Sequence, residues 1–171
     1  MKIELKKISF NERMSEETNC FVADLYINGK KVGYVKNDGR GGCTDYHGDS
    51  KEANQVIREA EAYFNSLPKV KEVKYNFEYQ PTLENAIDEQ FELYLKAKAY
   101  KKMEKQMECA ILFGVPDGHS YNMIKYKQPL SVLVKNYKAN LQKKIMEIKV
   151  NDCKNGVVIL NTNLEALGLT S

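Results

Sequence analysis

The chain has 171 residues, 43% apolar and 29% charged, with a formal net charge of +3. That length and apolar share suit one domain, or one domain with a helical appendage. No apolar run approaches the roughly 18 residues of a membrane-spanning helix, and a charge of +3 tolerates a polyanion without announcing one.

Residues 2–10 place Ile3, Leu5 and Ile8 among lysines with one slip of register, which predicts a first strand. The start of the chain shows no secretory pattern, so the expected compartment is the cytoplasm. Residues 11–19 form a polar, acidic connection. A second strand follows with Phe21, Ala23, Leu25 and Ile27 on one face. Asn28-Gly29 predicts a type I′ hairpin, because both central residues of that turn need positive φ. Residues 31–36 return as a third strand, with Val32, Tyr34 and Lys36 on one face and Gly33 and Val35 on the other.

Residues 37–49, Asn-Asp-Gly-Arg-Gly-Gly-Cys-Thr-Asp-Tyr-His-Gly-Asp, then form a glycine-rich loop. Ser50 is placed to cap a helix over residues 51–67, whose apolar residues recur at three and four and which Pro68 stops. Val73, Tyr75, Phe77 and Tyr79 alternate with polar residues and predict a fourth strand. Residues 1–80 thus read as a β-β-β-α-β core.

Thr82 is placed to cap a long helix over residues 83–113, acidic at its start and lysine-rich later, as the helix dipole favours. Its apolar stripe (Leu83, Ile87, Phe91, Leu95, Ala99, Met103, Met107, Ile111) has a spacing of four, which drifts around a helix of 3.6 residues per turn. The two halves should therefore meet different neighbours, a second copy of the chain included. Pro116-Asp117-Gly118 predicts a turn, residues 121–127 a short strand, and residues 129–144 another helix. Met146, Ile148 and Val150 alternate with polar residues, residues 152–156 are turn-like, and Val157-Val158-Ile159-Leu160 reads as a buried strand. These predict a C-terminal hairpin, followed by one helical turn over residues 163–169. The fold class is α+β, with residues 81–171 expected to pack on the same core.

The chemistry concentrates in the loop. A glycine-rich strand-to-helix connection can turn backbone N–H groups toward one point, and the helix dipole adds positive potential there. The expected site for a small anionic, nucleotide-like ligand is Arg40 for charge, Gly41 and Gly42 for amides, Thr44, His47, Ser50 and Lys51 around them, and Tyr46 or Tyr34 to stack on a base. The run matches neither a Walker A loop nor a G-x-G-x-x-G fingerprint. Cys43, Asp45 and His47 also invite a nucleophile–base or metal reading, but for a zinc site Cys20, Cys109, Cys153 and His119 would all have to converge. No metal and no cofactor are expected, and non-enzymatic binding is favoured over catalysis. Lys125, Lys127, Lys135, Lys138, Lys143, Lys144 and Lys149, interleaved with Tyr121, Tyr126 and Tyr137, offer a second, nucleic-acid-facing reading. Inhibition of a partner protein through the long helix is a third.

Residues 21–67 resemble a double-stranded-RNA-binding domain in outline. Asn28-Gly29-Lys30-Lys31-Val32-Gly33 looks like that family's hairpin, Gly39-Arg40-Gly41-Gly42 like its glycine-rich approach, and Ser50-Lys51-Glu52-Ala53 like the start of its final helix, although only Lys51 stands where the family clusters lysines. This resemblance implies phosphate contacts at the helix start. Residues 11–20 resemble small proteins of bacteriophages and integrative elements, which implies an accessory or ligand-sequestering role.

Overall fold

The structure, a computed structural model, describes residues 1–72, 76–116 and 120–170. The class is α+β, and the chain divides into two compact units, Met1–Tyr94 and Leu95–Ser171.

The first unit is built on a four-stranded antiparallel sheet in the order β1-β2-β3-β4, from β1 (Ile3–Phe10), β2 (Cys20–Ile27), β3 (Lys30–Asp38) and β4 (Asp45–Gly48). The slip of register in β1 is a bulge between Lys6 and Ser9, where Lys7 takes φ 50°. The β2–β3 turn has Asn28 at φ 51° and Gly29 at φ 82°, as the Asn-Gly dipeptide predicts. Phe21, Ala23, Leu25 and Ile27 are all buried, and Val35 lies beside them on β3. A second irregularity, between Leu25 and Tyr26, leaves Val32 buried out of step with exposed Tyr34.

Strand β4 corrects the loop reading: residues 45–48 pair with β3, Tyr34 opposite His47 and Val35 opposite Tyr46. Helix α1 (Lys51–Asn65) follows, with the Ser50 hydroxyl accepting from the Ala53 N–H at 3.1 Å. It lays Ile57 and Ala60 into the core. The Gln80 amide donates to the carbonyls of Asn65 and Leu67 and so covers the helix's last orphan acceptors.

The predicted fourth strand is instead a hairpin of β5 (Val70–Glu72) and β6 (Phe77–Tyr79). Val73 and Tyr75 lie outside the described residues. Helix α2 (Leu83–Met107) begins at the expected Thr82 cap, whose hydroxyl accepts from the Asn85 N–H at 3.1 Å. Leu83, Ile87 and Phe91 close the first unit's core, with Phe91 stacked on Phe21 at 3.9 Å between ring centroids.

The division between units falls inside α2. Residues 96–102 are exposed on every side, and burial resumes at Met103 and Met107. The drifting stripe therefore does serve two different sets of neighbours. The helix ends six residues short of the predicted Phe113, and Ala110–Gly114 is a strand, β7, in which all five residues are buried. Its faces are both covered: Ile111 and Phe113 join α3, while Ala110 and Leu112 join Met103 and Met107. A strand buried on both faces reads as a continuous apolar run with no alternation.

The second unit's sheet has the order β8-β7-β9, with β8 at Tyr121–Lys125 and β9 at Val158–Ile159. The Asp117-Gly118 part of the predicted turn, and His119, lie outside the described residues. Helix α3 runs from Leu130 to Asn151, so the expected strand at 146–150 is helical and the C-terminal hairpin does not form. Ile145 and Ile148 face the core, Met146 and Val150 face out, and β9 pairs with β7. The expected final helical turn is a turn of 3-10 helix at Glu165–Leu167, and Leu164 and Leu169 beside it join the same core.

Candidate functional site

The glycine-rich connection is an ordered shelf held by its own side chains. Asn37, only 8% exposed at the end of β3, organises it. Its Oδ1 accepts from the Gly39 N–H at 2.9 Å and the Thr18 hydroxyl at 2.8 Å, while its Nδ2 donates to the Gly42 carbonyl at 3.0 Å. The Thr18 hydroxyl in turn accepts from the Gly41 N–H. Gly39 sits at φ 82°, and a Cβ there would collide with the Met14 carbonyl oxygen, so no other residue fits.

The shelf docks on α2 through Thr44, 5% exposed. Its N–H donates to Glu84 at 2.8 Å and its hydroxyl to Asp88 at 2.7 Å. At this junction lies a cleft of 310 Å³. Four carboxylates line it, Glu17, Glu84, Asp88 and Glu92, together with Asn37, Thr44 and the ring of Phe91. Among the described residues, neither lysine nor arginine lines the cleft. Burial pushes the Asp88 carboxyl up from its ordinary value, the Thr44 hydroxyl pulls it back, and the charges of Glu84 and Glu92 raise it further.

The predicted ligand residues do not converge. Tyr34 and His47 are cross-strand neighbours on the exposed face of the sheet, ring centroids 5.3 Å apart. Thr44 and Tyr46 point the other way. The Tyr46 hydroxyl donates to Glu61 at 2.8 Å, and burial followed by that carboxylate pushes its pKa well above the usual tyrosine range. Arg40 and Gly42 are exposed, and Gly41 sits at φ 83° over Glu17. Ser50 is engaged as the α1 cap, and Lys51 is exposed beside it. Several donors expected to meet an external anion are instead engaged within the chain. Glu84 and Asp88 take the shelf donors, and Glu52 takes its own backbone N–H and the Ser50 hydroxyl, which hold its carboxyl below the ordinary value.

The exposed face of the sheet differs in character. Asp24 bonds Lys31 at 2.9 Å and pairs with Lys7 at 3.4 Å, Lys36 pairs with Asp45 at 3.8 Å, and Lys6 stands 4.1 Å over the Tyr26 ring. The bond from Lys31, with smaller help from Lys7, holds the Asp24 carboxyl low. Its charges are matched within the face, whereas among the described residues no salt bridge reaches the cleft carboxylates.

Cys43 is exposed, Cys20, Cys109 and Cys153 are half-buried, and all four are free thiols. No group of three His, Cys, Asp or Glu side chains among the described residues is arranged to hold a metal ion. No helix among the described residues is long and apolar enough to cross a membrane.

Sequence reasoning read Glu84, Asp88 and Glu92 as dipole-favoured charges at a helix start and residues 11–19 as a plain connection. The signal was present: carboxylates at i, i+4 and i+8 share one helix face and repel, which costs stability unless something offsets it. No protein-family model, curated protein or solved structure matches the chain.

Proposed function

We propose that the chain is a non-enzymatic binding protein whose first unit accepts a cationic group, an ammonium or guanidinium, in the cleft beside the glycine-rich shelf. One observation carries this reading: four carboxylates line a 310 Å³ cleft that, among the described residues, no lysine or arginine lines. Like charges gathered in a partly desolvated cleft are costly in the free protein, and a bound cation relieves that cost. Phe91, packed on Phe21, gives the cleft an apolar floor, and Asn37 and Thr44 fix the rim. The anionic, nucleotide-like ligand expected from the loop is the weaker reading, since the Gly41 amide, one of the two expected to cradle it, is engaged inside the shelf.

Thermal shift with agmatine and spermidine, each against ATP, tests the choice. Stabilisation by the cations, reduced in Glu92→Gln and Asp88→Asn, is the expected result. Stabilisation by ATP that disappears in Arg40→Ala would restore the anion reading in its place. The role in a bacteriophage or integrative element, as a sequestering accessory protein, is compatible with either ligand.

A second reading has its own observation. Residues 95–171 carry thirteen lysines, no arginine and six acids. Lys125, Lys127, Lys135, Lys138, Lys143 and Lys149 are all exposed on or beside β8 and α3. Lysines contact phosphates as point charges, while sequence readout favours arginine forks. This supports sequence-independent nucleic-acid binding by the second unit.

A further inference from the structure

We infer that the second unit binds a small amphipathic carboxylate, an aliphatic or aromatic acid, in a cavity between β8 and α3. The cavity measures 400 Å³, within the range of small-molecule sites. Ile124, Leu133 and Leu141 give it walls that are almost wholly apolar, and all three belong to or pack on the unit's main core. The remaining lining residues carry polar groups, among them the Tyr126 hydroxyl, the Asn140 amide and the Lys144 ammonium.

The second observation is the break in α3. Tyr137 leaves helical geometry at φ −129° and ψ 26°, with neither proline nor glycine within the helix to cause it. The break falls on the cavity, which Tyr137 itself lines. An uninterrupted amphipathic helix of this composition would be expected to close its apolar face over β8.

Charge selects the head group. Lys144 pairs with Glu147 at 3.0 Å, but both side chains are substantially exposed, and an ammonium has three donors. It can hold Glu147 and a ligand carboxylate together. Burial raises the Tyr126 hydroxyl's pKa and the Lys144 charge draws it back, which places the two groups within electrostatic reach of each other. An apolar chain in the cavity would bring its carboxylate to the rim, where the charge of Lys144 can receive it. This site is independent of the acidic cleft and of the cation reading.

Titration calorimetry on the full chain with decanoate, 1-decanol and decylamine tests it. Decanoate should bind at least tenfold more tightly than either neutral or cationic analogue. Lys144→Met should weaken decanoate about tenfold while leaving the helical circular dichroism unchanged, and Leu133→Trp should abolish binding by filling the cavity. Equal affinity for all three probes, absence of decanoate binding, or full decanoate affinity in Lys144→Met would each overturn the assignment. The agmatine response belongs to the other unit and should be intact in both variants, which separates this failure from that of the cleft.

Discussion

Neighbouring glycines of the shelf do different work. At Gly39 the backbone sits at φ 82°, and a methyl group would run into the Met14 carbonyl and come within 2.8 Å of the Cys20 Cβ. Gly39→Ala should therefore cost about 2–4 kcal/mol, read as a lower denaturant midpoint with an unchanged slope. Gly42 has open space around its Cα, and Gly42→Ala should stay within about 0.5 kcal/mol of the parent. Asp88 carries the pH dependence. Its folded carboxyl is raised, mainly by burial, so the native state binds a proton more tightly than the unfolded chain. Stability should then fall as pH rises from the ordinary carboxylate value through the raised one. Asp88→Asn keeps an acceptor for the Thr44 hydroxyl and should flatten that slope without loss of stability above it. A steep loss of stability at neutral pH in Asp88→Asn would show that the carboxylate is structural. The sequence exposed Gly39 and Asp88 as residue types. It could not show that Asn37, nineteen residues from Thr18, would close the shelf, because their hydrogen bond depends on β3 being in place.

Among the elements, β7 depends on a side chain acting as strand. Strand β9 has only two residues, and beyond it Asn161 takes over the pairing. The Asn161 Oδ1 accepts from the Leu112 N–H at 2.6 Å, and its Nδ2 donates to the Ala110 carbonyl at 2.9 Å. Asn161→Ala leaves two buried backbone groups without partners and should cost about 2–4 kcal/mol, with the Leu112 amide exchanging faster with solvent. An unchanged Leu112 exchange rate would refute this role. Where elements depart from the periodicity of their residues, two patterns overlap. Ile111 continues the four-residue spacing of Met103 and Met107, which extends the helical pattern past the true helix end. The contiguous run Ala110-Ile111-Leu112-Phe113 is instead the mark of a strand covered on both faces. Ile145 and Ile148 sit at helical spacing, while Met146, Ile148 and Val150 sit at strand spacing, and so short a stretch satisfies both periods. Burial chose the first. Strand β4 left no signal, since Asp-Tyr-His-Gly has little strand propensity and forms only because the β3 edge receives it.

At the scale of the whole chain, charge separates along the sequence: residues 1–94 hold thirteen basic and seventeen acidic side chains, and residues 95–171 hold thirteen and six. The net value of +3 conceals this. If the second unit binds nucleic acid through its lysines, retention on duplex RNA or DNA should weaken steeply with salt, with a slope of about −0.9 for each phosphate neutralised on duplex DNA. Lys135→Glu combined with Lys143→Glu should reduce the steepness of that slope by about two and leave agmatine binding intact. Retention that ignores salt would exclude the reading. Composition alone could have given this asymmetry, had the division been sought inside the helix; a boundary at Pro81-Thr82 was the more visible one, because prolines interrupt chains and α2 does not.

The Asn28-Gly29 turn that sets the β2–β3 register also carries a chemical clock. An asparagine followed by glycine is prone to cyclise, because the unhindered glycine nitrogen can attack the side-chain carbonyl and expel ammonia. Here the Asn28 carbonyl oxygen already accepts the Lys2 N–H at 3.0 Å, and Asn28 is held at φ 51° within the turn. The hydrogen bond to the side-chain oxygen restrains the approach that the cyclisation requires. Asn155-Gly156 has the same dipeptide at φ 53° and 86°, beside a strand of only two residues. Ageing should therefore begin at the second unit's turn, adding a negative charge beside β9, while the hairpin that organises the first unit keeps its amide longer.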